Sequence, residues 1–272
     1  MTDAGTVAAA TLVSVVTVVR NDRVGFLATW ASLRAQGFRG FEWIVVAGTS
    51  SDGTDGAIAD AVAAGEVTHH VPGVDGGPYR GMNRGADLAT GRFLLFLNAG
   101  DRLADADVLD RVAARLAAGG VDLLYGDHVA ERDDGTARLV PALSPDSIAS
   151  RMFTSHQSIL YAAWLVRRFG FDPQYAVAAD YVLTLHALMG TIRVVGVPYP
   201  ISLIAPAGIS ARRALRGRVE QALARRRILR HSLVRVACIF LLQTAAWRLR
   251  GVAPRLYERM RRHRRMQRSP WV

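Results

Sequence analysis

Five apolar residues, Phe93-Leu94-Leu95-Phe96-Leu97, run straight into Asn98-Ala99-Gly100-Asp101. A run of that kind fills the middle of a sheet, and the amide, glycine and carboxylate behind it have two readings. They make a turn that ends a strand, or they offer oxygen donors to a hard divalent cation and the phosphates it bridges. Three further segments bring small residues, backbone amides and acids together after an apolar run: Arg20-Asn21-Asp22, residues 48–54 with Asp52, and residues 72–78 with Asp75. In an open parallel sheet, ligands sit beyond the carboxyl ends of the strands, near the point where strand order reverses. These four loops are therefore where chemistry is to be sought.

The elements that must hold the loops follow from periodicity. Residues 12–125 alternate β-branched apolar runs with alanine-rich segments of helical spacing, the pattern of a βαβ sheet with helices on its faces. Strands are expected over 12–19, 42–47, 67–71, 93–97 and 123–125, and helices over 23–36, 54–64, 79–90 and 107–118. Gly37, Gly65, Gly91 and Gly119 stand where helix-ending glycines belong. Residues 129–140 read as a hairpin around Asp133-Asp134-Gly135. Helices over 162–168 and 179–189 and a strand over 192–197 complete the body, and a composition change places a boundary near Ser210. Residues 7–19 are mostly apolar, but Asp3 and the absence of a leading positive charge favour a first buried strand over a signal peptide.

With 272 residues and half of them hydrophobic, the chain has enough apolar surface for a sizeable core, which excludes a disordered chain. Cys238 is the sole cysteine, so no internal disulfide or cysteine-based zinc cluster forms, consistent with a reducing compartment. The net charge of +11 is uneven: residues 212–272 carry eighteen arginines against two acids, whereas residues 1–211 are net acidic. The glycine-rich stretches GTSSDGTDG and GVDGGPYRG fit neither a dinucleotide fingerprint nor a P-loop.

Four motifs in order, TVVRN, WIVVAGTSSDGT, DGGPYRGMNRGADLATGRFLLFLNAGD and AADYVL, resemble the family 2 glycosyltransferases, in the bacterial branch that builds exopolysaccharides and glycolipids. The resemblance implies a GT-A fold: α/β, a Rossmann-like, mostly parallel sheet flanked by helices, here with a basic helical C-terminal extension. It covers roughly residues 14–210, and with the composition change near Ser210 the chain is expected to divide into a transferase domain, 1–210, and a tail, 211–272. The resemblance implies an inverting transfer of a hexosyl group from a nucleotide-sugar donor to a lipid-linked or glycan acceptor. Asp101 falls on the carboxylate that holds Mg2+ or Mn2+, and Asn98 on the first position of that acidic motif. Asp180 matches the catalytic base, which takes the acceptor hydroxyl's proton as the oxygen attacks the anomeric carbon; a helix-start acid favoured by the macrodipole is the plainer reading. His156 and Gln157 resemble an acceptor-side or diphosphate-side pair, and Asp127 an acceptor contact. Asp75 and Asn83 match the nucleotide pocket, and Thr17, Val19 and Asn21 the donor side. Asp172, ahead of Pro173, reads as turn chemistry.

Three positions depart from the family pattern. Ala47 stands where relatives have an acid that reads the nucleobase, which leaves that task to backbone at 17–19 or to Asp52. Arg80 stands where relatives have Asp, and Gly100 takes the middle of the acidic motif. These departures motivate an alternative, a GT-A-like binding protein with a decayed donor site.

In the tail, VACIFLLQTAAW is too short to cross a bilayer. Flanked by Arg225-Arg226-Arg227 before, Arg261-Arg262 and Arg264-Arg265 after, and with Trp247 at its edge, it fits a helix lying in an anionic membrane surface. The expected place is cytoplasmic, peripheral at the inner face of the cell membrane. The plainer reading is a helical hairpin packing Leu233, Phe240 and Leu241 on the body. A third reading, a nucleic-acid-associated protein, lacks a recognition motif and stacking aromatics, and no nucleic-acid partner is expected.

Overall fold

The computed structural model describes residues 11–132, 134–206 and 213–252. Expectations that fall on residues 1–10, Asp133, the boundary at Ser210 and the arginines at 261–265 lie outside them. The chain divides into two compact units, Met1–Gly208 and Ile209–Val272.

The first unit is built on one sheet. The valine-rich β1 (Val13–Val19) is followed by α1 (Arg23–Arg34), β2 (Phe41–Ala47), α2 (Thr54–Ala63), β3 (His69–Val71), α3 (Pro78–Leu88) and β4 (Phe93–Phe96). Then come a short β5 (Arg102–Leu103), α4 (Val108–Ala117), β6 (Leu123–Glu131), β7 (Ala137–Val140), β8 (Ile159–Ala162), α5 (Ala163–Phe169), α6 (Ala179–Leu188) and β9 (Val194–Ile204). Strand order is β3-β2-β1-β4-β8-β6-β9-β5, with β7 paired to β6. β1 lies parallel to both β2 and β4, so strand order reverses at its carboxyl end. The central strands are apolar on both faces because helices cover both: Val15, Val16, Ile44, Val45, Leu95 and Phe96 are fully buried.

Helix punctuation follows sequence chemistry. The Asp22 side chain accepts from Gly25 N at the start of α1, and Pro78 opens α3. Gly65 and Gly119, after α2 and α4, have φ of 71° and 74°, the left-handed conformation that ends helices.

Beyond the unexpected two-residue β5, two strands differ from expectation in ways that bear on the site. β8 was not anticipated as a strand, because Ile159-Leu160-Tyr161-Ala162 is only four residues long and runs directly into α5. It pairs antiparallel with β4, Phe93 opposite Ala162 and Leu95 opposite Leu160. The strand expected over 192–197 continues to Ile204 through Pro198 and Pro200. The prolines are tolerated because Pro200 lies at an irregularity of the β6–β9 ladder, and β5 pairs with β9 only at Ser202 and Leu203.

The second unit holds α7 (Ala214–Arg227) and α8 (Leu233–Val252). No helix among the described residues is long and apolar enough to cross a membrane.

Candidate active site

The antiparallel entry of β8 decides the site. Because β8 runs against β4, its leading residues His156 and Gln157 arrive where β4 ends, at the 98–101 loop. Gln157 Nε2 donates to Asp101 Oδ2 at 2.7 Å, and Ala205 N donates to Asp101 Oδ1 at 3.0 Å. The neighbouring residue, His156, places Nδ1 at 3.3 Å from Asp180 Oδ2. Two consecutive side chains thus bridge the two acids that the motifs single out, although 79 positions separate those acids in sequence.

Asp101 is only 6% exposed. Burial pushes its carboxyl above the usual range, and the nearby Asp22 charge adds to this; Gln157, Ala205 and His156 act in the opposite sense. Thr29, buried in α1, pins the loop: its hydroxyl donates to Asp101 O at 2.7 Å, and Gly100 N donates to it at 3.1 Å. Gly100 has φ of 91°, a conformation that favours glycine. The departure from an acid in the middle of the motif therefore has a backbone cause.

Asp180 sits in the first turn of α6. Burial alone would raise its carboxyl, but the His156 hydrogen bond and charge, the Tyr181 N–H and the Tyr79 hydroxyl outweigh it and hold the group below the ordinary carboxylate range. Tyr79 O–H donates to Asp180 Oδ1 at 2.9 Å, while the ring stacks on Phe171. Tyr79 and Thr29 were not singled out in the sequence. A tyrosine directly behind the proline that opens α3 was the available signal for the first of them.

Among the described residues no cluster of three or more His, Cys, Asp or Glu side chains is placed to hold a metal ion. What is present fits a hard divalent cation shared with a ligand. Among the described residues, Asn98 Oδ1 is buried without a partner, and each Asp101 carboxylate oxygen keeps a second lone pair beyond its one hydrogen bond. Such a set of oxygen donors leaves the remaining coordination positions to diphosphate and water.

The other candidates divide. Arg20 Nη1 lies 3.6 Å from Asp75 Oδ1, and Thr49 Oγ1 donates to Asp75 Oδ2 at 2.9 Å, so the loops after β1 and β2 meet Asp75 at an open rim. Asn21 accepts from Ser51 N at 2.8 Å and shapes the same rim. By contrast, Asp52 accepts from Arg23 N and Thr54 N, capping the starts of two helices, and the hydrogen bond from the Thr54 hydroxyl leads in holding its carboxyl low. Asn83 spends both ends of its amide on the Phe171 backbone, at 2.8 Å each. Thr17 accepts from Trp43 Nε1, and the Val19 carbonyl accepts from Gly48 N; both residues are buried. Asp127 accepts from Ala142 N at 2.8 Å, beside the irregular part of β6. Ala47 is buried at the end of β2.

Sheet order and site loops together define a GT-A fold. S. aureus TarS, residues 1–349, superposes with a TM-score of 0.64 at 18% identity, covering 91% of this chain and 77% of that one. The mannosyltransferase PcManGT from Pyrobaculum calidifontis, in complex with GDP-Man and Mn2+, gives 0.64 at 15% identity, covering 94% and 79%. At such identities the likeness speaks to the fold. The family model for glycosyl transferase family 2 matches residues 14–170, and the chain belongs to that family. A PGL/p-HBAD biosynthesis glycosyltransferase of Mycobacterium tuberculosis is 39% identical over 144 residues, 52% of this chain and 56% of the relative. An uncharacterized glycosyltransferase of the same species is 32% identical over 183 residues, covering 65% and 69%. The chain spans about half the length of the first of these curated relatives.

Proposed function

We propose that the protein is an inverting, metal-dependent glycosyltransferase that moves a hexosyl group from a nucleotide sugar to a hydroxyl of a lipid-linked or glycan acceptor at the cytoplasmic face of the membrane. The observation that carries this reading is the bridge of His156 and Gln157 between Asp180 and Asp101. A metal site and a base must share one cleft for a single displacement, and these two acids are joined through adjacent residues. Solved neighbours in complex with UDP-GlcNAc, with GDP-Man and Mn2+, and with UDP-Glc and Mn2+ support the donor class and the ion. The lipid-linked acceptor rests on the likeness of the motifs to the exopolysaccharide and glycolipid branch.

Asp101, with Asn98 beside it, would hold Mg2+ or Mn2+, which supplies positive charge to a departing nucleoside diphosphate. Asp180 is held ionised and so is ready to accept a proton. The acceptor oxygen attacks the anomeric carbon, its proton passes to Asp180, and the bond from that carbon to the diphosphate oxygen breaks on the opposite face. Tyr79 and His156 each hold one carboxylate oxygen of Asp180 and fix its direction. Arg20, Asp75 and Asn21 border the nucleotide at the open rim.

The test is Asp180→Asn, assayed for transfer and hydrolysis across nucleotide sugars with Mn2+, with donor affinity measured alongside. Turnover should fall by about 10²–10⁴-fold with affinity nearly intact. Normal turnover by this variant sinks the assignment of the base, and binding without turnover by the wild-type protein favours the decayed-site alternative.

A further inference from the structure

Among the described residues of the second unit, α8 presents an exposed apolar face. Along α8, Val234, Cys238, Leu241, Leu242, Ala245 and Val252 recur at helical spacing and are all exposed. Val234 is 74% exposed, Leu241 65% and Leu242 71%, against the few per cent usual for core residues. The face runs for about 27 Å at 1.5 Å per residue. Of the three residues named in the hairpin reading, Leu233 and Leu241 are exposed and Phe240 is half-buried. Trp247, expected at a membrane edge, carries the Arg218 guanidinium over its ring at 4.6 Å.

The charges around this face select its occupant. From Arg213 to Val252 every charged side chain except Glu220 is an arginine. Arg227, Arg230, Arg235 and Arg248 are exposed, and Arg248 lies on the apolar face itself. A second copy seated on this face would bring arginines against arginines and bury Arg248, both costly. A bilayer interface has neither penalty: the aliphatic stem of Arg248 lies along the apolar surface while its head reaches the phosphate level. Anionic headgroups supply the missing negative charge. A nucleic acid would match the arginines but leave the leucines in water.

We propose that the exposed face of α8 seats in the interface of an anionic bilayer, parallel to its plane, with Leu241 and Leu242 at its centre and the exposed Arg227, Arg230, Arg235 and Arg248 on headgroup phosphates. The proposal is independent of the catalytic reading, since it uses no residue of the first unit.

Cys238 makes the test direct. It is the sole cysteine of the chain and is exposed on this face, so a thiol-reactive environment-sensitive fluorophore reports from one place. The labelled full chain is titrated with vesicles of neutral phosphatidylcholine, with vesicles containing phosphatidylglycerol, and with a single-stranded oligonucleotide. Expected are a blue shift and intensity gain on phosphatidylglycerol vesicles alone, quenched by lipids with a spin label near the headgroup. The double variant Leu241→Asp, Leu242→Asp should abolish the shift. The triple variant Arg227→Gln, Arg235→Gln, Arg248→Gln is a second probe that leaves the leucines, and so the apolar face, in place. It should weaken binding about a hundredfold, at roughly fivefold per arginine. The proposal is overturned by no shift on anionic vesicles, by an equal shift on neutral ones, by a shift with the oligonucleotide instead, or by rapid Cys238–Cys238 cross-linking in the absence of lipid.

Discussion

His156 stands with Nδ1 3.3 Å from Asp180 Oδ2, while its buried Nε2 has no partner among the described residues. One nitrogen holds the acid in place; the other is left to meet whatever enters the cleft. The hydrogen bond and charge of His156 oppose the burial of Asp180, and removing them lets burial raise the carboxyl. A base works only when deprotonated, so the acid limb of the kcat/KM profile of His156→Ala should move to higher pH. At neutral pH we expect a fall in kcat of about 10–100-fold with little change in donor KM. A pH–rate profile of both proteins checks this, and an unmoved acid limb would separate His156 from Asp180.

Tyr79→Phe removes one hydroxyl and keeps the ring. The stack on Phe171 should persist, and thermal stability should change by about 1 kcal/mol or less. The hydroxyl's single proton is shared between Asp180 Oδ1 and the Val177 carbonyl, 2.8 Å away, so it ties the segment ahead of α6 to α3. The expected result is a fall in kcat of about 3–10-fold, corresponding to one hydrogen bond that orients the base.

Donor and ion should stabilise the fold together. Nucleoside diphosphate with Mn2+, at a hundredfold excess over Kd, should raise Tm by about 5–10 °C, since a ligand that prefers the folded state adds about 2.7 kcal/mol under those conditions. Asp101→Asn should lose most of this shift while the diphosphate without metal behaves alike in both proteins. A full shift in the variant would move the ion away from Asp101.

Glu42 supplies a prediction about stability alone. Its buried carboxylate accepts from Ser14, Thr90 and Gly91, at the far end of the strands from the proposed chemistry. Burial raises the carboxyl, but these donors outweigh it and hold the group below 4.5. A depressed acid contributes stability that is complete above its unfolded value and is lost as pH falls through the folded one. The wild type should therefore lose stability as pH drops below about 4.5, and Glu42→Gln should lose less over that range. At pH 7 the variant should be less stable by about 1–3 kcal/mol. Urea unfolding at several pH values measures both.

Gly100→Ala probes the loop that carries Asp101. A Cβ there meets Ala205 Cβ at 3.4 Å and Asp22 Oδ2 at 3.6 Å, ordinary contacts, so the cost is the backbone angle of 91° rather than space. We expect about 1–2 kcal/mol of destabilisation and weaker support of nucleotide by Mn2+.

The layout of the sheet was legible because β-branched runs and alanine-rich helices alternate up to Tyr125 and glycines mark their ends. β8 was not, since four apolar residues between a polar pair and a helix carry no period, and their pairing with β4 is a long-range fact. The prolines of β9 hid a strand whose neighbour is irregular at that place. Within the candidate site, loop position pointed to Asn98, Asp101 and Asp75. It could not distinguish an acid left open from one spent on helix caps, which is the fate of Asp52, or an amide closing a turn, which is the fate of Asn83. Tyr79 reaches Asp180 only because α3 and α6 approach in space.

The 156–157 pair has a consequence for anyone who wishes to redesign the protein. Its two side chains leave a single short helical turn, one toward each acid, so a shift of that turn is felt at both ends at once. Attempts to broaden acceptance by mutating 155–158 will tend to penalise donor turnover in the same stroke. The hairpin of β6 and β7, tethered near the cleft through Asp127 and Ala142, is the safer place to engineer.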